Sequence, residues 1–169
     1  MSVESTVYSP KPPVTLGELV QAGRRIGLEL WAFDPDAPAF RPTQGDDALD
    51  GATRVVIGCQ SDDAETTAAV EDAIRRGDKP AIDGLGQSGK VAWFEFVSEP
   101  FDYEASWEDC SDEREEIEDS YEPEILERMR SARVRYQFRC ATRPPWNGRL
   151  LTTVAELIAA VSDGFVDEP

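Results

Sequence analysis

Between Arg133 and Cys140 the chain reads Arg-Val-Arg-Tyr-Gln-Phe-Arg-Cys, apolar side chains alternating strictly with cationic or polar ones. A period of two places Val134, Tyr136, Phe138 and Cys140 on one face of a strand, and Arg133, Arg135, Gln137 and Arg139 on the other. Such a strand cannot stand alone. Its backbone needs neighbouring strands, and its apolar face needs a layer of side chains to cover it. One face must be core and the opposite face cationic.

The stretch before this strand inverts the charge. Glu99 to Glu127 contains fourteen acids and one base, Arg114, whereas Met129 to Arg149 contains six arginines and no acid. Over 169 residues, 34 Asp and Glu stand against 17 Lys and Arg, a formal net charge of −17. An excess of that size attracts basic surfaces and disfavours bare nucleic acid and anionic membranes.

Pro10, Pro12 and Pro13, with few apolar neighbours, predict that residues 1–13 form an extended N-terminal arm outside the core, with a single domain over residues 14–169. Thr15-Leu16-Gly17-Glu18 has the spacing of a capping box and predicts a helix to about Arg25. Leu28 to Phe33 suits a strand, and Asp34 to Gly51 a Pro-rich and Asp-rich loop. Arg54 to Cys59 reads as a buried strand. Asp62 and Asp63 then favour the start of a helix, and Arg75-Arg76-Gly77 its end. Val91 to Val97 is a third strand, Pro123 opens a helix to about Ala132, and Arg133 to Cys140 follows as a fourth strand. Thr153-Val154-Ala155-Glu156 repeats the capping-box pattern ahead of a last helix stopped by Gly164, with Phe165 and Val166 as a short edge strand. This order predicts an α+β fold: one mixed sheet of four to five strands with about four helices packed on it.

Composition removes several kinds of chemistry. With no histidine, Ser-His-Asp and Cys-His catalysis, histidine-ligated metals and an imidazole pH switch are all excluded. Cys59, Cys110 and Cys140 lie too far apart for a CxxC pair. Cys59 and Cys140 fall in apolar runs and are expected to be buried, while Cys110 lies among acids that would blunt its reactivity. The longest apolar run, Leu157 to Val161, is far short of the roughly 18 residues that a membrane helix needs. Met1-Ser2-Val3-Glu4 shows neither a basic nor an apolar signal region, so a cytoplasmic location is expected.

Gly84-Leu85-Gly86-Gln87-Ser88-Gly89-Lys90 has the spacing of part of a phosphate-binding P-loop. It departs from that pattern at Val91, where Ser or Thr should hold magnesium, and a strand rather than a helix follows it. A Gly/Ser loop is therefore expected. The Asp-rich stretch Asp46 to Gly51 lacks the ligand spacing of an EF-hand. Catalysis by carboxylates alone would require a pocket that separates the pKa values of two acids, and the acids here fall in stretches that look solvated. No cofactor, no metal and no enzymatic activity are expected.

The acidic segment at 99–127 carries Phe101, Tyr103, Trp107, Ile117 and Tyr121 among its carboxylates. Acids can steer a basic partner from a distance and aromatic side chains can then hold it. The expectation is a non-enzymatic protein-binding module that neutralises a basic protein, such as an immunity protein or inhibitor of a nuclease-like toxin. Its contact residues would be Trp107, Asp109, Asp112, Glu113, Glu115, Glu116, Asp119 and Tyr121. Other readings are a DNA-mimic inhibitor of a DNA-binding protein and an accessory subunit of a larger assembly. Against all of these stands a bland alternative, in which the rings pack the segment onto the domain and Arg133, Arg135 and Arg139 neutralise its acids from beneath.

Overall fold

In a computed structural model of the chain, the described residues are 2–33, 54–108, 110–141 and 147–167. Six strands form one sheet: β1 (Ser2–Ser9), β2 (Leu28–Phe33), β3 (Arg54–Gln60), β4 (Ala92–Pro100), β5 (Val134–Ala141) and β6 (Phe165–Asp167), in the order β2-β3-β4-β5-β1-β6. Seven helices are present among the described residues: α1 (Leu16–Arg25), α2 (Ala64–Arg76), α3 (Lys79–Gln87), α4 (Tyr103–Ser106), α5 (Ser111–Ser120), α6 (Pro123–Ser131) and α7 (Asn147–Ser162). The α+β class is as expected. The sheet is larger than expected, and every neighbouring pair in it is antiparallel rather than mixed.

The antiparallel order follows from counting reversals. Between β3 and β4 lie two helices, α2 and α3, so the chain re-enters the sheet running opposite to β3. Where a Gly/Ser loop is expected from Gly84, the structure has the end of α3, and that helix adds one reversal. The single-helix crossovers, β1-α1-β2 and β5-α7-β6, join strands that are not neighbours in the sheet.

Residues 2–9 are not an arm outside the core. They form β1, an interior strand between β5 and β6, with Val7 and Tyr8 both buried. Ser5 and Thr6 weaken the apolar pattern here, and the strand rests on pairing with β5 over Ser2–Ser9 and with β6 over Thr6–Tyr8. The prolines come only after Ser9, where they end it.

The two faces of the sheet are covered differently. On the first, α1 and α7 pack over Val7, Leu30, Phe94, Tyr136, Phe138 and Cys140. The Tyr136 hydroxyl accepts from the Val14 amide at 2.8 Å, fixing the entry to α1. On the second face, α2 and α3 cover Ile57 and Val91 at one end, while Tyr8, Phe101 and Phe165 pack with Tyr103 of α4 and Met129 of α6 at the other. Cys59 and Cys140 are buried and Cys110 is exposed, and none of the three is in a disulfide.

Local signals act as the sequence implies in several places. Thr15 and Glu18 form a reciprocal capping box on α1. Asp63 accepts from the Thr66 amide at 3.0 Å, and Gly77 ends α2 in the left-handed conformation at φ 67°. The second expected capping box is not a helix start. Because α7 begins at Asn147, Thr153 and Glu156 lie in its middle. The loop expected over Asp34 to Gly51 lies outside the described residues, as do Arg143 and Trp146. Among the described residues, no helix is long and apolar enough to cross a membrane.

Candidate functional site: the acidic helix and its clamp

The acidic segment is folded. Asp102 caps the short helix α4 by accepting from the Ala105 amide at 3.1 Å, and α5 and α6 follow. Arg114, Ile117, Glu118 and Tyr121 recur at helical spacing and are half-buried, so they form the inward stripe of α5. Glu113, Glu115, Glu116 and Asp119 are exposed on its other sides. None of these four makes an ion pair with another described residue.

Glu118 holds the helix in place. Its Oε1 accepts from Arg114 Nε at 3.0 Å, from Arg130 Nη2 at 3.0 Å and from the Tyr103 hydroxyl at 3.1 Å. Arg114 also forks onto Glu104, with Nη1 at 2.7 Å from Oε2 and Nη2 at 3.2 Å from Oε1. Both guanidinium groups lie 5.5 Å from the centre of the Tyr103 ring. The hydrogen bonds from Arg114, then those from Arg130, hold the Glu118 carboxyl below its usual range. α5 is thereby tied to both α4 and α6. The i, i+4 spacing of Arg114 and Glu118 is the sequence signal for this cluster, and it is hard to see among so many acids.

The arginines of β5 are satisfied elsewhere. Arg135 stands directly opposite Glu99 on β4 and donates to it through Nε at 2.7 Å and through Nη2. Arg139 stands opposite Glu4 on β1 and pairs with it at 3.4 Å. These are cross-strand pairs, and the Arg135 guanidinium also lies 5.7 Å from the centre of the Phe101 ring. The guanidinium row therefore takes one carboxylate from the acidic segment, Glu99, and not the outward acids of α5.

The expected contact residues divide into two groups. Glu113, Glu115, Glu116 and Asp119 lie together on exposed sides of one helix, and Asp112 is exposed in its first turn. Trp107 and Tyr121 instead pack against the cluster of Tyr8, Phe101, Tyr103 and Phe165. Trp107 meets Tyr103 edge-on at 6.5 Å between ring centres, and its buried indole N–H has no acceptor among the described residues. Tyr121 donates its hydroxyl to Asp167 at 2.6 Å. Asp109 lies outside the described residues.

The P-loop-like stretch takes the opposite polarity to a phosphate site. Gly84 to Gln87 form the last turn of α3, not a loop ahead of a helix. The amides of Ser88, Gly89 and Lys90 are used on the carbonyls of Gly84, Gly86 and Leu85. That end of a helix presents partial negative charge, which repels phosphate. Gly86 serves packing instead, since a Cβ there would lie 2.7 Å from Trp93 Nε1. Among the described residues, no three His, Cys, Asp or Glu side chains converge as metal ligands would.

Comparison of the chain with protein-family models, with curated proteins and with solved structures finds no match in any of the three.

Proposed function

We propose that this chain is a non-enzymatic binding module that captures and neutralises a basic protein, in the manner of an immunity protein or inhibitor of a nuclease-like toxin. The observation behind this reading is the clamped α5, which displays Glu113, Glu115, Glu116 and Asp119 outward without ion-pair partners among the described residues. Clamping matters because a preordered helix loses little conformational entropy when a partner docks. The net charge of −17 adds a long-range field that orients and accelerates the approach of a cationic surface. Packed inward, Trp107 and Tyr121 stiffen the base of the helix, while Asp112 adds an exposed acid in its first turn and Asp109, outside the described residues, stays in the proposed contact set on sequence grounds alone.

The test compares wild type with a variant carrying Glu113→Lys, Glu115→Lys, Glu116→Lys and Asp119→Lys. Each is immobilised and exposed to host lysate, and association with any retained protein is followed at low and high salt. The reading expects one strongly basic protein on the wild type, a fall in association rate of about tenfold or more in the variant, and loss of most of the salt dependence. Retention of no basic protein, or equal capture by the variant, would reject it.

A further inference from the structure

On the sheet face opposite α5, an open groove of about 880 Å³ runs between α1 and α7. Leu157, Ala160 and Val161 line it from α7, with Gln21, Arg25 and Ile26 opposite them. Ile26 is the large apolar side chain left exposed among the described residues, at 55 %. Isolated exposed apolar groups are ordinary, but this one sits at the end of an apolar groove. The charges along α1 also have a direction. Glu18 stands near its N-terminal end and Arg25 at its C-terminal end, both lining the groove.

That arrangement is complementary to itself. If a second α1 lies antiparallel against the first, Glu18 of each copy meets Arg25 of the other. The seven helical steps from Glu18 to Arg25 span about 10 Å. The two-fold axis then passes between Gln21 and Ala22, which puts residue 26 of one copy opposite residue 17 of the other. Residue 17 is Gly17, also in the groove wall, so the exposed Ile26 faces a position with no side chain. Opposite charges and a projecting group facing a gap fall into register in the same alignment. We propose that two copies of this chain pair through the α1–α7 groove as a two-fold dimer, with α1 antiparallel to α1.

The dimer leaves α5 free, because that helix is held on the other face through Tyr103 and Arg130. Its salt dependence also has the opposite sign to capture of a basic protein. Two bodies of net charge −17 repel each other, and added salt screens that repulsion. Self-association should tighten as salt rises, whereas capture of a cationic partner should weaken.

Sedimentation equilibrium of the full chain over a concentration series, at low and high salt, tests the pairing. Wild type should show a reversible monomer–dimer equilibrium that shifts towards dimer at higher salt. Ile26→Asp and Ala160→Arg, both at exposed positions, should each raise the dissociation constant about tenfold or more without moving the urea midpoint. A wild type that stays monomeric through the millimolar range overturns the proposal, and so does a dimer that neither substitution weakens. Either failure would leave capture by α5 unaffected, since that reading is measured on a different face.

Discussion

The Tyr121 hydroxyl donates to Asp167 Oδ1 at 2.6 Å, joining the residue after α5 to the edge strand β6 across 46 positions of sequence. Burial, then the bond to Asp167, pushes Tyr121 well above the ordinary tyrosine value. Tyr8 and Tyr103 are raised as well, burial being the largest cause in each. A proton held more tightly in the folded state stabilises it fully below the unfolded value of about 10, and that contribution is lost as pH climbs through the folded value. Stability should therefore hold at neutral pH and fall above about pH 10. Tyr121→Phe should cost about 1 kcal/mol at neutral pH, as the hydrogen bond is lost, and make the alkaline fall shallower. Urea midpoints from neutral to strongly alkaline pH check both; an unchanged alkaline slope would remove Tyr121 from the account.

Glu118 gives the opposite pH dependence. Its bonds to Arg114 and Arg130 hold the folded carboxyl below its usual range, so its contribution is present above the unfolded value of about 4.3 and is lost as pH falls through the folded one. The groups involved lie near the surface, where solvent screens them. Glu118→Ala should consequently leave the global denaturation midpoint almost unchanged while releasing α5. Hydrogen exchange should show faster exchange of the α5 amides, with the central strands β4 and β5 unaffected. Equal protection of α5 in both proteins would mean that the clamp does not hold the helix.

How far the sequence reveals this molecule depends on whether each signal is local. The two faces of β5, the cap and glycine terminus of α2, and the edge strand at Phe165 were legible because each rests on residues within a few positions of one another. β1 was not, since Val3, Ser5 and Val7 carry little apolar pattern and become a strand through pairing with residues more than 120 positions away. The helix α3 was obscured by its glycines, which look like loop residues until Trp93 is seen to require one of them. At the candidate site the outward acids were legible from composition, and inward packing of the aromatic rings stood as one of two readings, but the partners of Trp107 and Tyr121 were not legible. Those partners include Tyr8 and Asp167, which come from the two ends of the described chain.

The two glycines of α3 should respond oppositely to the same substitution. Gly84 is exposed within the helix and a Cβ there would meet nothing within 4 Å. Gly84→Ala should stabilise the protein by roughly 0.5–1 kcal/mol, through better helix propensity and a less flexible unfolded chain. Gly86→Ala places the same methyl against the Trp93 ring, at 2.7 Å from Nε1 and 3.2 Å from Cδ1. It should destabilise by roughly 1–3 kcal/mol as the ring or the helix shifts. Thermal denaturation of the two variants separates the effects, and stabilisation by both would mean that Trp93 moves aside without loss of packing.

Thr15 and Thr153 each stand three residues ahead of a glutamate, yet only the first pattern sits at a helix start. The Glu18 amide donates to Thr15 Oγ1 at 3.2 Å, and the Thr15 amide donates to Glu18 Oε2 at 2.8 Å. Thr15→Ala removes the acceptor for an amide that has no partner within the helix, and should cost about 1 kcal/mol. At Thr153 the backbone is already bonded within α7, so there is no free amide for a cap to satisfy. Thr153→Ala should change stability by less than about 0.5 kcal/mol, because better helix propensity offsets a small loss of contact. Urea denaturation of both variants tests the contrast; equal losses would show that what matters is the threonine methyl rather than the cap.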